Sequence, residues 1–267
     1  MAGKTASYAK RGEDPGTLLQ RLARGPLLPV YLLFGEEGYL VDRALKTVLE
    51  RIVATVAGSR VRAGEDGLME RVEQALCTHP LFGGQPSAVV MDVDSLKDTA
   101  QEEMLALITR APGGHLVLVG ATPDMRRRLY AKCAREGWAF GFRRLSLARI
   151  PAWFKEEAAE RGHVLAAGTV EQLTELVGAD LRTGAAEIEK LSLYVGEGQP
   201  IDVDAVAAVV GGMRARSVFE LSTLIEQREL GTALGLVRRL LTQGEPPIAL
   251  AAFLAAQLRR MLMAKSL

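Results

Sequence analysis

Cysteine and long apolar runs are both scarce in this sequence. The only two cysteines among its 267 residues, Cys77 and Cys133, are far apart. This spacing excludes a disulfide framework and a cysteine metal motif, and it favours a reduced, cytoplasmic environment. No uninterrupted apolar run approaches the ~20 residues that cross a membrane. The polar first residues lack the apolar core of a signal peptide. We therefore expect a cytoplasmic protein that does not enter a membrane.

The net charge is also close to zero, because the sequence has 33 basic and 32 acidic residues. A chain with a formal net charge of +1 has no long-range field that attracts DNA. Contact with nucleic acid would then depend on local patches or on a partner protein. The composition, 48% hydrophobic and 24% charged, is typical of a globular protein with a core, and the length allows about two domains.

Short apolar runs alternate with amphipathic segments in the first half of the chain. The pattern predicts strands at 29–35, 87–93, 115–121 and 138–142, and helices at 40–53, 68–76, 98–109 and 125–136. Strands that are separated by helices form a parallel sheet. The runs are apolar throughout, as expected when helices cover both faces of the sheet. The sequence therefore predicts an α/β fold.

The strand signal stops after about Leu145, and short helical patterns follow. We expect a disordered tail at 1–16, a sheet domain at 17–145, a small helical domain at 146–212 and a further helical domain at 213–267. The last helical pattern reaches the end of the sequence without a glycine or proline stop signal. We therefore expect the last domain to be incomplete.

The first predicted strand runs into a glycine and then a helix, which is where a phosphate-binding loop would be expected. The P-loop pattern G-x-x-x-x-G-K-[ST] needs a lysine and a hydroxyl residue, but Gly35-Glu36-Glu37-Gly38 is followed by neither. Two unit charges 4 Å apart repel by ~1 kcal/mol in bulk water, so the two carboxylates oppose a phosphate. The sequence predicts that this loop holds no nucleotide cofactor. We expect Asp92 and Asp94, after a later strand, to be solvated.

Other groups of reactive residues are weak candidates for chemistry. Cys77 and His79 could form a nucleophile–base pair, but no third orienting group is evident. We interpret Cys77 as a small core residue and His79 as a surface residue. The run Arg126–Arg128 could contact phosphate or an acidic loop of a partner, or it could be a solvated helix start. No catalytic or metal site is predicted.

The segment HPLFGG at 79–84 places two large apolar residues between a predicted helix and a predicted strand. Pro80 stops the helix, and Gly83-Gly84 permit a protruding turn. Leu81 and Phe82 could fold inward over the sheet edge, as most large apolar residues do. They could also protrude into the pocket of a partner.

Four segments in order resemble the delta subunit of the bacterial DNA polymerase III clamp loader. They are PVYLLFGEEGYLVDRAL (29–45), VEQALCTHPLFGGQPSAVVMDVDSL (72–96), GADLRTGAAEIEKLSLYVG (178–196) and RARSVFELSTLIEQRELGTALGLVRRLLTQGEPPIALAAFLAAQLRRML (214–262). The resemblance implies an AAA+-like first domain that binds no ATP, a lid-like second domain and a helical collar domain. It identifies Leu81 and Phe82 as the residues that dock on the beta sliding clamp.

The resemblance also implies a function in DNA replication. The delta subunit opens the beta sliding clamp so that the ring is loaded onto primed DNA. Its partners are ATP-binding subunits of the tau/gamma type and a delta-prime subunit in a hetero-pentamer, with DNA contacted only within that assembly. The subunit has no catalytic site of its own, although it belongs to a DNA-directed DNA polymerase holoenzyme, a nucleotidyltransferase.

The sequence departs from the family pattern at two places. Relatives carry a basic residue soon after the Leu-Phe pair, whereas this chain has Gly84-Gln85-Pro86-Ser87. Family members also extend several tens of residues further, into the part that completes the collar. Two alternatives remain: an AAA+-derived interaction module with another partner, and a nucleotide-binding ATPase. Clamp binding and ATP titration distinguish them.

Overall fold

The computed structural model describes residues 15–52, 60–78, 85–110, 113–210 and 227–242, with single positions at 221, 224–225, 247, 250–251 and 254–255. The chain divides into two compact units, Met1–Arg144 and Leu145–Leu267. Each unit has its own hydrophobic core.

The first unit is built on a five-stranded parallel sheet. Its strands are β1 (Val30–Phe34), β2 (Arg60–Arg62), β3 (Ser87–Met91), β4 (His115–Gly120) and β5 (Ala139–Gly141). They are arranged in the order β2-β3-β4-β1-β5, and every pairing is parallel. The predicted strands are confirmed, with ends shifted by one or two residues. Strand β2 was not predicted, because only Val61 in its three residues is apolar and buried.

Five helices of the first unit connect and flank these strands. They are α1 (Pro15–Arg24), α2 (Gly38–Ile52), α3 (Leu68–Cys77), α4 (Asp98–Thr109) and α5 (Arg128–Arg135). Helices α2 to α5 confirm the sequence pattern. Helix α1 was not predicted, and it begins two residues inside the segment 1–16 for which a tail is expected. The buried apolar side chains of this helix are Leu18 and Leu22, about one turn apart, which is a short apolar pattern.

The two faces of the sheet are covered by different helices, which confirms the predicted α/β layering. Successive side chains on a strand point to opposite faces. Leu32 and Leu118 therefore belong to a core shared with α3, α4 and α5. Leu33 and Val117 belong to a second core shared with α1 and α2. Because both faces of the sheet are buried, the strands are apolar throughout and do not alternate apolar with polar residues.

The second unit is helical. Its described helices are α6 (Ile150–Glu160), α7 (Thr169–Val177), α8 (Leu181–Val195), α9 (Val203–Val209) and α10 (Leu230–Thr242). Helix α6 packs on α7 and α8, and α9 packs on α8. A separate apolar cluster joins α10 to Leu221 and Leu250. The predicted boundary between 212 and 213 lies outside the described residues, so that division stays a prediction. None of the helices in the described ranges is long and apolar enough to cross a membrane.

Candidate partner-binding site

The predicted partner-binding pair, Leu81 and Phe82, lies in the segment 79–84, outside the described residues. The chain on both sides of this segment is described. Helix α3 ends at Cys77, and strand β3 begins at Ser87. Because all five strands run in the same direction, the start of β3 marks the amino-terminal edge of the sheet. The segment therefore connects a helix end to a strand start at that edge.

The helix side of this connection is closed by local hydrogen bonds. Thr78 leaves the helix with extended backbone angles, φ −88° and ψ 113°. Its backbone N–H and its Oγ1 both donate to the Gln74 carbonyl, at 3.0 and 2.7 Å. Leu76 is buried, whereas Cys77 is exposed. The interpretation of Cys77 as a core residue is wrong, because neighbouring helical residues point about 100° apart and Leu76 takes the inward position.

The strand side is anchored by His115, the first residue of β4. Its backbone N–H donates to the Pro86 carbonyl at 2.8 Å. Its ring is buried, with Nδ1 2.7 Å from the Leu28 carbonyl oxygen and Nε2 2.6 Å from Oε1 of Gln85. Sequence reasoning missed this pair. Gln85 and His115 become neighbours only through the pairing of Ser87 with His115 between β3 and β4.

The degenerate nucleotide loop, residues 35–37, lies at the opposite, carboxyl-terminal edge of the sheet. The Gly35 N–H donates to the Gly120 carbonyl and the Glu37 N–H to the Phe142 carbonyl, both at 3.3 Å. A P-loop uses such backbone N–H groups to bind phosphate. Here those two donors already have carbonyl partners, and Glu36 is exposed beside them. The geometry supports the prediction that this loop holds no nucleotide.

Glycine is required at position 35 because another chain segment comes very close. A Cβ atom there would lie 1.8 Å from the Phe142 carbonyl oxygen, and the φ angle is +153°. Phe142 in turn donates its N–H to the Phe34 carbonyl at 2.7 Å. This glycine therefore packs the loop against the chain that follows β5.

Asp94 holds the carboxyl-terminal edge together. Its Oδ2 accepts from the Ala121 N–H at 2.6 Å, and its Oδ1 accepts from the Thr122 N–H at 2.7 Å. Asp94 is exposed at the end of a strand, as expected, and its two hydrogen bonds also join the segment after β3 to the segment after β4. Asp92 is exposed, and its carboxylate lies 3.8 Å from the Arg62 guanidinium.

The buried hydroxyl of Tyr130 donates to the Val93 carbonyl at 2.6 Å. Burial is the main cause that raises the pKa of Tyr130 to about 12, and the negative charge of Asp94 adds to it.

The arginines at 126–128 pair with acidic groups of the same unit. Arg126 makes a bidentate contact with Asp124, Arg127 lies 2.6 Å from Asp98, and Arg128 lies 3.0 Å from Glu102. The Arg126 hydrogen bonds lower the pKa of Asp124 to about 2. These pairs are exposed, so they stabilise the fold little.

Cys133 and His163 are two further buried titratable residues. Burial raises the pKa of the Cys133 thiol to about 12, so this cysteine is not a nucleophile at neutral pH. His163 is buried in the second unit, where its ring contacts the Gln199 carbonyl and the Ser192 hydroxyl at 2.8 and 2.6 Å. The described part of the chain contains no group of three or more His, Cys, Asp or Glu residues that could hold a metal ion. His79 lies outside it.

Sequence comparisons find similarity to DNA polymerase III delta subunits. The family model for the C-terminal domain of the DNA polymerase III delta subunit matches residues 215–267. The chain is 26% identical to the DNA polymerase III subunit delta of Bacillus subtilis (strain 168) over 259 residues, which covers 91% of this chain and 74% of that protein. It is 23% identical to the probable DNA polymerase III subunit delta of Aquifex aeolicus (strain VF5) over 240 residues, which covers 85% of this chain and 68% of that protein.

A solved structure shows the same fold. The Bacillus subtilis DNA clamp loader delta protein superposes with a TM-score of 0.64 at 23% identity, covering 92% of this chain and 76% of that chain. The sequence matches and this fold confirm the resemblance drawn from the four sequence segments.

Proposed function

We propose that this chain, which is similar in sequence to DNA polymerase III delta subunits, is such a subunit, and that it binds the beta sliding clamp and opens the ring for loading onto primed DNA. Leu81 and Phe82 are the clamp-contacting residues in this proposal. ATP is bound by neighbouring subunits of the tau/gamma type, and a delta-prime subunit completes the hetero-pentamer. Primed DNA is contacted only within that assembly.

The observation that carries the proposal is the position of Leu81 and Phe82 in the chain. Two adjacent large apolar residues fall in a six-residue connection whose flanks are both hydrogen-bonded to the body of the unit. The sheet has an apolar core on each face that is formed by other, described residues. An apolar pair on an anchored connection suits insertion into a partner's pocket.

The separation of the two edges of the sheet also supports the proposal. Strands of about five residues put the amino- and carboxyl-terminal edges roughly 15–20 Å apart. Parallel α/β sheets usually bind ligands at the carboxyl-terminal edge. In this chain that edge carries the loop at Gly35–Glu37, whose donors are used internally. A role in protein binding at the opposite edge does not need that loop.

The binding energy is sufficient for a small interface. Burying a leucine or a phenylalanine side chain contributes about 1.5–3 kcal/mol each, and buried anchors of this kind dominate many interfaces. Binding alone does not open a ring, since a ligand shifts an equilibrium only by binding one state better. The proposal therefore includes tighter binding of this chain to the open clamp than to the closed clamp.

Equilibrium binding to the beta sliding clamp of the same organism, without ATP, tests the proposal. The variant Leu81→Ala/Phe82→Ala should weaken binding by about 3–6 kcal/mol, or roughly 10²- to 10⁴-fold. A matched control is Leu193→Ala/Tyr194→Ala, which removes another adjacent leucine and aromatic residue from an exposed part of α8. The control should bind as the wild type does.

The ring-opening step needs a separate measurement. Loading of the clamp onto primed DNA by the reconstituted complex should fall in parallel with clamp affinity for the Leu81→Ala/Phe82→Ala variant. Loading at the normal rate by this variant would refute the assigned role of the pair. Absence of clamp binding by the folded wild-type chain would instead favour an interaction module with another partner.

A further inference from the structure

A groove of about 720 Å³ lies between helices α4 and α5 of the first unit. The residues that line it are exposed or half-buried, so the groove is open to solvent. We propose that this groove is a docking site for an acidic amphipathic helix of a partner protein. This inference concerns other residues than the proposed function and does not depend on it.

The groove has an apolar floor, formed by Leu105 and Ala106 of α4 and by Ala131 of α5. The lining residues follow the spacing i, i+3, i+4, i+7 on both helices, so each helix offers one continuous face. Leu105 is half-buried, whereas the two alanines are exposed. Because alanine ends at its Cβ atom, it leaves room above the floor. A third helix that lies along the groove would bury apolar side chains there, which is a common mode of peptide recognition.

The rim of the groove is basic, because Arg110, Arg128, Lys132 and Arg135 line it together with one acidic residue, Glu102. At one end Nη1 of Arg128 lies 3.0 Å from Oε2 of Glu102, and this pair joins α5 to α4. Arg110 and Arg135 follow these two residues by seven or eight positions, or about 10–12 Å along the helices. The lining residues at that second end are basic or neutral. The charge of the groove therefore favours an acidic partner.

The cations of the rim already contact carboxylates of this chain, but weakly. Glu136 Oε1 lies 3.9 Å from Lys132 Nζ and 3.7 Å from Arg135 Nε. Glu73 Oε1 lies 3.7 Å from Arg110 Nη2. Ion pairs this long between exposed side chains contribute little free energy. Carboxylates of a partner would therefore share or replace these contacts at small cost.

The shape of the groove favours a peptide over nucleic acid. The axes of packed helices lie about 8–10 Å apart, so a DNA duplex is too wide to reach the floor and would contact the rim alone. The floor is aliphatic, whereas the stacking of single-stranded bases uses aromatic rings. Lys132 places a cation beside this floor: its side chain is 19% exposed, and its Nζ lies 5.9 Å from the centre of the Trp138 ring. Carboxylates flanking an apolar stripe match both parts of the groove.

Fluorescence anisotropy with the full chain tests the proposal. The probe is a labelled synthetic helix of about five turns, with leucines at i, i+3 and i+4 on one face and glutamates on both sides of that face. A matched peptide carries glutamine in place of glutamate, and a short DNA duplex is the competing ligand. We expect saturable binding of the acidic peptide. The glutamine peptide should bind about two- to thirtyfold more weakly for each two ion pairs that it lacks.

Two variants separate the rim from the floor. Arg110→Gln/Arg135→Gln removes two charges of the rim and should weaken binding of the acidic peptide about two- to thirtyfold. The matched control Arg238→Gln/Arg239→Gln removes two exposed arginines from α10 and should bind as the wild type does. Ala131→Gln fills the floor without a change of charge, and should weaken binding about fivefold or more. Circular dichroism checks that all variants are folded.

Each result supports or overturns the proposal. Weaker binding by both groove variants, with an unchanged control, supports a docking site between α4 and α5. Binding that ignores Ala131→Gln shows attraction by charge alone and overturns docking in the groove. Tighter binding of the duplex than of the acidic peptide assigns the rim to nucleic acid and overturns the peptide partner. Absence of saturable peptide binding also overturns the proposal, and clamp binding, measured separately, is unaffected by any of these results.

Discussion

Neutralising the loop at Gly35–Glu37 tests the prediction that this loop holds no nucleotide. The perturbation is Glu36→Gln/Glu37→Gln, which removes both negative charges while keeping the size of the side chains. If charge alone excludes ATP, this variant should bind it. If the hydrogen bonds of the loop also exclude it, the variant should not.

The magnitudes follow from Coulomb's law, for carboxylates assumed about 4 Å from a phosphate, and from the hydrogen bonds of the loop. Removing two like charges about 4 Å from a phosphate gains ~1 kcal/mol each in water, or about 30-fold in affinity together. The Gly35 and Glu37 N–H groups, however, donate to the Gly120 and Phe142 carbonyls. Freeing them for phosphate costs about 0.5–1.5 kcal/mol each, which offsets the gain. The lysine of a P-loop is still missing.

We therefore expect the neutralised variant to bind Mg-ATP with a Kd above about 1 mM, weaker than about −4 kcal/mol. Isothermal titration calorimetry on the folded chain measures it. The control Glu102→Gln/Glu103→Gln removes the same charge from α4, away from the loop. Saturable binding below about 100 μM by the loop variant alone would refute the argument from hydrogen bonding.

Two further predictions concern packing and pH. Gly184→Ala should destabilise the second unit by about 0–2 kcal/mol, because overpacking costs about 1–3 kcal/mol and helix propensity returns about 1 kcal/mol. The new Cβ atom would lie 2.8 Å from the buried Trp153 ring. At Gly235 on α10 a new Cβ atom would meet open space, so Gly235→Ala should instead raise the free energy of unfolding by about 0.5–1 kcal/mol. Denaturant unfolding measures the change for both variants. Equal changes would contradict the described packing of α6 on α8. The Asp124 carboxyl should titrate near pH 2, below its ordinary value of 3.8, because Arg126 donates to its ionised form. Its contribution to stability is thus present above about pH 4 and is lost as pH falls through about 2. NMR titration of the Asp124 side chain should move towards the ordinary value in Arg126→Ala, and an unchanged midpoint would exclude Arg126 as the cause.

The placement of the two candidate sites on opposite edges has a mechanistic consequence. The connection 79–84 begins where α3 ends and finishes where β3 starts, whereas the loop at 35–37 follows the end of β1. A partner bound at the amino-terminal edge therefore does not compete for space with the carboxyl-terminal edge. In the proposed complex, that second edge is available to neighbouring subunits.

The sequence by itself determined the elements of the fold with strong local patterns. Continuous apolar runs mark β1, β3 and β4, since both faces of the sheet are buried, and α4 begins and ends where its pattern does. The missing lysine and the paired glutamates predict a loop without nucleotide, and this stays a prediction. Strand β2 and helix α1 escaped prediction because their apolar content is small, and tertiary contacts decide their conformation.

Only the tertiary structure decided which distant residues meet. The parallel pairing of β3 with β4 brings His115 to Gln85 and Asp94 to the N–H groups of Ala121 and Thr122. No local periodicity records such pairs, because strand register is set by packing over the whole sheet. For the same reason the interpretation of Cys77 as a core residue was wrong, and the hydrogen bonds of Asp94 were not predicted. Local pattern determines which segments are strands and helices, whereas the shared core determines which side chains become neighbours.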